Sequence, residues 1–176
     1  MRKGIAIVVL LLGLGTARAE ALLYQDHDRT GSLAGNGAIG FTLGPDTFLV
    51  ASGVDYYFTR HFTLGPLLQM GVSDDVFLVS PTVEAKGVFD LPVNGFGRRV
   101  KPFVQGGAGF TYANVDRAGK SDNAIDFMFN LGFGVDIYLT TRFAMGNNML
   151  FNVTPTRVFR DRLIFAWQFV SLKYHF

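Results

Sequence analysis

The stretch that decides the fold class is residues 125–139, which read IDFMFNLGFGVDIYL. Its odd-numbered positions are all apolar, and most are large. Its even-numbered positions are mostly polar or small, and they include Asp126, Asn130 and Asp136. Successive side chains of a β-strand point to opposite faces, so an alternation of period two indicates a strand with one apolar face. We therefore predict a long strand here, with eight apolar side chains on one face.

The same alternation recurs along the chain and predicts eight strands. Residues 57–65 and 138–146 share a pattern of apolar, Thr, Arg, Phe and Gly positions, and we interpret both as tight turns on one side of the sheet. The third connection on that side is then the basic segment 91–101. The opposite side would carry connections at 44–47, 74–75, 114–123 and 154–161. The predicted strands are 33–43, 48–59, 62–73, 77–91, 102–113, 125–139, 143–154 and 162–176.

The composition excludes several classes of protein. The 176 residues include 21 Gly, 18 Phe and no Cys, only 17% are charged, and the formal net charge is +2. Soluble domains carry roughly 25% charged residues. Without cysteine there can be no disulfide framework, no thiolate metal site, no cysteine nucleophile and no acylated lipoprotein anchor. We expect no metal and no cofactor. We also expect no nucleic-acid partner, because a charge excess of only +2 does not indicate nucleic-acid binding.

The N-terminus has the pattern of a secretory signal peptide. A basic start is followed by about ten apolar residues and by an A-x-A site at Ala17–Ala19. A retained anchor is the alternative, but a membrane-spanning helix needs about 20 apolar residues. We therefore expect three parts: a cleaved signal peptide at 1–19, a periplasmic segment at 20–32 and a barrel domain at 33–176.

Alternation alone fits either a soluble or a membrane barrel, and the identity of the side chains separates the two. If the apolar face pointed inward, about 40 mostly large side chains would have to fit an eight-stranded barrel that has little interior space. A lipid-facing apolar exterior with a polar interior is the pattern of outer-membrane barrels. The sheet must also close into a barrel, because backbone N–H and C=O groups at an open sheet edge find no hydrogen-bond partner in hydrocarbon. The prediction is an all-β, eight-stranded antiparallel up-and-down transmembrane β-barrel, monomeric, in the cell outer membrane. An even number of strands places both chain ends on the short-turn, periplasmic side.

The C-terminus resembles the terminal strand that outer-membrane proteins present to the barrel-assembly machinery. Leu172, Tyr174 and Phe176 alternate with polar residues, and the chain ends on an aromatic residue. The alternative interpretation is an edge strand of a soluble sheet. The resemblance implies that these three side chains form an assembly signal and that the barrel-assembly machinery is a partner during biogenesis.

The chain from about residue 30 onward resembles the small outer-membrane barrel families of the OmpA, OmpX and opacity-protein type. The resemblance is carried by KPFVQGGAGFTY at 101–112, by the turns that contain Thr, Arg and Phe, and by the terminal LKYHF. Such families include envelope-stabilising proteins, adhesins, small pores and lipid A enzymes. The enzymes use His, Ser and an acid near the outer leaflet. Here His27, His61 and His175 all fall on the periplasmic side, where we expect them to be solvated or interfacial, so we predict no catalytic residue.

Two groups of residues remain as candidate sites. The first is a polar network inside the barrel, in which Glu84 and Asp126 are expected to pair with Lys86, other basic groups or water, because an unpaired buried charge is costly. This network could be a static plug or a narrow gated pore. Its predicted members are Asp55, Gln69, Glu84, Lys86, Gln105, Asp126, Asn130 and Asp136.

The second group consists of Arg157, Arg160 and Arg162 at the outer rim, with Arg117 and Lys120 on another outer connection. Arginine binds phosphate through two parallel hydrogen bonds, so lipopolysaccharide is the expected partner, and an ordinary solvated rim is the alternative. We predict a non-enzymatic outer-membrane protein with a structural, envelope-integrity or surface-interaction role. The short outer connections disfavour an adhesin. A small-solute pore is the second candidate, and a lipid A-modifying enzyme is the third.

Overall fold

The protein forms a closed barrel of eight strands in which each strand pairs antiparallel with its sequence neighbours and β8 pairs with β1. The computed structural model describes residues 28–93, 95–117, 120–155 and 162–176. The predicted signal peptide, like most of the segment after it, lies outside the described residues. The strands are β1 (Leu33–Leu43), β2 (Thr47–Thr59), β3 (Phe62–Val72), β4 (Val76–Val88), β5 (Val100–Arg117), β6 (Lys120–Tyr138), β7 (Phe143–Val153) and β8 (Leu163–His175).

The predicted fold is therefore confirmed, and so is the assignment of the two faces. On β6 the odd-numbered side chains lie on the outside, where Ile125 and Leu131 are 73% and 67% exposed. The even-numbered Met128 and Asn130 are buried inside. The alternating pattern produces this result because one face of every strand must line the narrow interior while the other forms the outer surface.

One prediction about the connections was wrong. Of residues 114–123, expected as an outer loop, 114–117 continue β5 and 120–123 belong to β6, with Asn114 opposite Asn123. The Tyr112 hydroxyl also donates a hydrogen bond to the Asn123 side chain at 3.1 Å. The segment is polar on both faces, so its hydropathy resembled that of a loop although its backbone is extended. Because β6 pairs with β7 only from Phe129 onward, this hairpin projects beyond the end of β7.

The segment before β1 and the end of β8 meet at one end of the barrel, which we call the terminal end; the opposite end is the far end. At the terminal end the Phe176 N–H donates a hydrogen bond to the Leu33 carbonyl at 3.0 Å, and the Gly31 N–H donates one to the Tyr57 carbonyl at 2.7 Å. The connection after β4 includes a short 3-10 helix at Gly95–Arg99. Among the described residues, no helix is long and apolar enough to cross a membrane.

Candidate functional site

A chain of alternating charges crosses the interior near the terminal end. Lys86 contacts both carboxylate oxygens of Asp55, at 3.0 and 3.1 Å. Lys173 lies 3.5 Å from Asp55 and donates a hydrogen bond to Asp136. The four residues belong to β4, β2, β8 and β6, so each contact joins strands that are not neighbours in the sheet. We call these four residues the lumen ion chain.

Small and aromatic residues make room for these contacts. Gly146 on β7 lies opposite Asp136, and a Cβ atom there would lie 2.5 Å from Asp136 Oδ1. The buried ring of Phe103 lies near both lysines, with the two Nζ atoms 5.8 and 5.7 Å from its centroid. The ion chain is therefore fixed by the surrounding packing as well as by its own charges.

The charges of the lumen ion chain balance, since two carboxylates face two ammonium groups. All four side chains are buried, and a buried charge is tolerated only when it is paired and hydrogen-bonded. Each Asp and each Lys here has an opposite charge within 3.5 Å. The lumen ion chain therefore links four alternate strands of the barrel, and its four charges sum to zero.

Lys86, one of the partners expected for Glu84 beside other basic groups and water, pairs with Asp55. Glu84 instead accepts hydrogen bonds at Oε1 from the Thr82 hydroxyl and the Asn130 amide. It reaches Asn130 across Gly107, where a Cβ atom would lie 2.6 Å from Glu84 Cδ. Its other oxygen, Oε2, has no hydrogen-bond partner among the described residues.

Amide side chains form a further part of the polar interior. Asn148 donates hydrogen bonds to the side-chain oxygens of Gln105 and Gln168, at 3.4 and 3.2 Å. Gln69 is buried on the same lumen surface. Asp126 also lies on the inner face, but it is only half-buried, and its carboxylate accepts a hydrogen bond from the Phe127 N–H at 2.8 Å. Of the predicted polar network, all members except Asp126 are buried in the lumen.

Aromatic and cationic side chains close the terminal end. His175 Nε2 lies 3.0 Å from the Tyr138 hydroxyl, and the His175 ring is tilted against the Tyr57 ring with the two centroids 5.2 Å apart. The guanidinium of buried Arg29 lies over the Tyr138 ring at 3.9 Å. The expectation that His175 is solvated or interfacial was therefore wrong: the alternation of β8 turns it inward together with Lys173.

Apolar side chains fill the part of the interior that the polar groups leave. Leu49, Leu67 and Leu150 form a buried cluster with three alanines, Ala38, Ala51 and Ala166. Side chains thus occupy the lumen in successive groups, namely the aromatic closure, the ion chain, the amide groups and this cluster. Such an interior holds its polar groups in fixed positions.

A second ionic cluster lies at the terminal end, between two connections and the start of β5. Asp90 contacts Lys101, Arg60 at 2.6 Å and His61 at 3.8 Å. Partial burial would raise the pKa of the Asp90 carboxyl, but the hydrogen bond and charge of Lys101, with the charges of Arg60 and His61, hold this pKa below its ordinary value of 3.8. The cluster ties the connection after β4 to the β2–β3 turn and to the start of β5.

The remaining predicted site residues are only partly described. Arg162 is exposed at the far end. Arg157 and Arg160 lie outside the described residues, as does His27, and nothing is described of the Arg117 and Lys120 side chains. The predicted assembly residues Leu172, Tyr174 and Phe176 are all exposed on the outer face. Within the described ranges, no group of three or more His, Asp or Glu side chains could hold a metal ion.

Sequence reasoning missed several lumen residues although a signal was present. Lys173 alternates with Leu172 and Tyr174, so the outward face predicted for those two already placed Lys173 inside. Tyr138 lies two residues after Asp136 on the same strand, so the same parity already placed it inside. Nothing in the sequence indicated that Arg29, which precedes the first strand, would pack into the barrel end.

The comparisons with known proteins identify the fold. No protein family matches the sequence, and no curated protein sequence matches it either. The structure is similar to the N-terminal β-barrel domain of Pseudomonas aeruginosa OprF, with a TM-score of 0.68 and 14% identity over 85% of this chain and 100% of that one. It is also similar to Neisserial surface protein A, with a TM-score of 0.63 and 13% identity over 82% and 96% of the two chains.

A third similar structure is a de novo designed transmembrane β-barrel, with a TM-score of 0.55 and 16% identity over 84% of this chain and 97% of that one. The fold is therefore that of the small eight-stranded transmembrane barrels. Because proteins of this fold serve varied roles, the fold alone does not assign an activity.

Proposed function

We propose that this chain is a monomeric, non-enzymatic protein of the bacterial outer membrane that acts as a structural element of the envelope. The observation that carries the proposal is the lumen, which is filled by packed side chains and spanned by the balanced lumen ion chain. An apolar exterior around such an interior suits a rigid membrane insert. The proposal predicts heat-modifiable gel mobility in the outer-membrane fraction and increased detergent sensitivity of cells that lack the protein. Normal sensitivity after deletion would contradict the envelope role.

The terminal end faces the periplasm in this proposal. Outer-membrane barrels have short periplasmic turns and longer extracellular loops, and here the β5–β6 hairpin projects at the far end. The chain has no cysteine, so single cysteines report orientation without background. Asp75→Cys should react with an impermeant maleimide on intact cells, whereas Thr141→Cys should react only after the outer membrane is opened. The reverse labelling pattern would contradict this orientation.

A narrow pore is the second candidate, and one observation favours it. The Glu84 oxygen without a described partner gives the lumen a carboxylate that the ion chain does not neutralise. We nevertheless favour a static plug because buried side chains lie on both sides of Glu84 along the lumen. Planar-bilayer recordings of the wild type and of Glu84→Gln test the choice. The plug predicts no discrete openings, and wild-type openings whose cation selectivity falls in Glu84→Gln would support the pore.

An enzymatic role is the third candidate and is disfavoured by the positions of the described histidines. His61 Nδ1 lies 3.1 Å from the Val88 carbonyl oxygen, and His175 contacts Tyr138, so both belong to the terminal end. Activating a hydroxyl requires a base within hydrogen-bond reach, and in the proposed orientation lipid A lies at the far end. Mass spectra of lipid A should be identical with and without the protein. A lost or gained acyl chain would contradict this conclusion.

Lipopolysaccharide is the proposed partner at the far end. Exposed Arg162 directly precedes β8, and Arg157 and Arg160 lie close to it in the sequence. Replacing all three by Gln should reduce co-purified lipopolysaccharide, because each guanidinium can bind a phosphate through two hydrogen bonds. Arg142→Gln, at the terminal end, is the matched control. Unchanged lipopolysaccharide and unchanged barrel stability in the triple variant would contradict the proposal.

A further inference from the structure

The connection between β4 and β5 exposes apolar side chains outside the strands. Residues 89–99 read FDLPVNGFGRR and lie at the terminal end. Phe96 is 65% exposed, and Phe89, Leu91 and Val93 are also exposed. Phe89 directly follows β4 and continues its apolar outer face past the last strand residue. The exposed apolar surface of the connection is therefore continuous with the apolar exterior of the barrel.

The backbone of this connection is held in place. The Val93 N–H donates a hydrogen bond to the Leu91 carbonyl at 2.8 Å, and the Phe89 N–H donates one to the Pro102 carbonyl at 2.8 Å. Val93 also packs onto Gly97, where a Cβ atom would lie 2.3 Å from Val93 Cγ2. The apolar side chains are therefore presented by a folded turn.

The charge of the connection is cationic on its accessible side. Asp90 is the acidic residue of this segment, and its carboxylate is occupied by Lys101, Arg60 and His61. Arg98 and Arg99 end the 3-10 helix, and Arg98 is exposed. Exposed aromatic and aliphatic side chains beside basic residues are typical of segments that lie in a membrane interface, where basic residues add attraction to anionic lipids.

We propose that residues 89–99 anchor the terminal end of the barrel to a leaflet that contains anionic phospholipid. Phe96 enters the boundary between headgroups and acyl chains, and the exposed Arg98 contacts lipid phosphate. The occupant is lipid because the exposed patch continues the barrel exterior and its charge is opposite to that of the headgroups. This inference rests on the proposed insertion of the barrel in a bilayer.

A single tryptophan tests the anchor, because the chain has one Trp, at position 167. Phe96→Trp is made in a Trp167→Phe background and reconstituted in vesicles with lipids brominated at shallow or deep acyl positions. We expect stronger quenching by the shallow bromines, and weaker quenching by aqueous acrylamide than for Asp75→Trp at the far-end turn. Accessibility to acrylamide equal to that of Asp75→Trp, with no lipid quenching, would overturn the anchor.

A second quenching experiment measures the preference of residues 89–99 for anionic lipid. At equal mole fraction, brominated phosphatidylglycerol should quench Phe96→Trp more than brominated phosphatidylcholine does. The excess local concentration should be about fivefold for the contact of Arg98. Arg98→Gln should abolish that excess, whereas the matched change Arg142→Gln, in another turn of the same end, should preserve it. Equal quenching by the two lipids in the parent protein would overturn the proposed anionic partner.

A deep control separates this inference from the proposed function. Phe133→Trp, on the outer face of β6, should be quenched most strongly by deep bromines if the barrel is inserted. Quenched Phe133→Trp with unquenched Phe96→Trp overturns the anchor alone. Unquenched Phe133→Trp overturns both the insertion and the anchor.

Discussion

Lys173 on β8 donates a hydrogen bond to Asp136 on β6, past the intervening strand β7. Gly146 on β7, opposite Asp136, leaves room for that carboxylate, because a Cβ atom there would lie 2.5 Å from Asp136 Oδ1. Lys173 also lies 3.5 Å from Asp55, so one ammonium group serves two buried carboxylates. Lys173 and Asp55 are thus the two members of the lumen ion chain that each contact two opposite charges.

Lys173→Met should destabilise the barrel by about 3–5 kcal/mol, because it leaves buried carboxylates short of positive charge. The measurement is urea unfolding in lipid vesicles, followed by the fluorescence of Trp167. The matched control is Asp136→Asn combined with Lys173→Met, which leaves Asp55 paired with Lys86 and balances the charge again. The double variant should be more stable than Lys173→Met alone. Equal or lower stability of the double variant would show that the pair does not act through charge balance.

Two adjacent glycines provide a test of lumen packing. A Cβ atom at Gly107 would lie 2.5 Å from the Val83 carbonyl oxygen and 2.6 Å from Glu84 Cδ, whereas at Gly106 the nearest atom, the Asn130 carbonyl oxygen, is 3.5 Å away. Gly107→Ala should therefore cost about 1–3 kcal/mol by overpacking, and Gly106→Ala should leave the free energy of unfolding nearly unchanged. The same urea titration measures both, and similar losses at the two positions would contradict the described packing.

The Asp90 carboxylate should make part of the free energy of unfolding depend on pH in the acid range. Its folded pKa lies below the ordinary value of 3.8, so its contribution is present above that value and is lost as the pH falls through the folded pKa. Wild type should exceed Asp90→Asn in stability at pH 7, and this difference should shrink only below about pH 4. Unfolding titrations of both proteins between pH 7 and pH 3 measure the difference. A difference that is constant over this range would show that the carboxylate has no shifted pKa.

The sequence predicts the barrel well because each strand separates an apolar outer face from an inner face. That same parity identified Asp55, Glu84 and Asp136 as lumen residues. It did not identify their partners, because parity specifies the face of a side chain but not which non-neighbouring strand it reaches. The pairing of Lys86 with Asp55 depends on the closed geometry, which brings alternate strands within reach across the lumen.

The extended β5–β6 hairpin shows a second limit of sequence reasoning. Beyond the apolar belt both faces of a strand can be polar, so the signal of period two disappears while the cross-strand ladder continues from Asn114–Asn123 to Arg117–Lys120. Composition there resembles that of a loop. Arg29 shows a third limit, since its insertion beside Tyr138 is a contact between distant parts of the chain.

A change at Phe176 should impair assembly of the barrel. Phe176 is 78% exposed on the outer face, and Leu172 and Tyr174 share that face. Phe176→Ser should reduce the amount of folded, heat-modifiable barrel in the outer-membrane fraction, because it removes the last apolar residue of the proposed assembly signal. His175→Gln, which changes an inward side chain of the same strand, is the control for a general effect at this terminus. Equal assembly of Phe176→Ser and wild type would contradict a role of Phe176 in the signal.

The most direct measurement uses Trp167, the one tryptophan of the chain, which stacks edge-on against Phe41 at 5.3 Å on the outer face of the barrel. In vesicles of acyl-brominated phosphatidylcholine its fluorescence should be strongly quenched and its emission blue-shifted, with little effect of aqueous acrylamide. That result is required if the apolar exterior meets lipid. Full quenching by acrylamide with none by brominated lipid would contradict a membrane-inserted barrel.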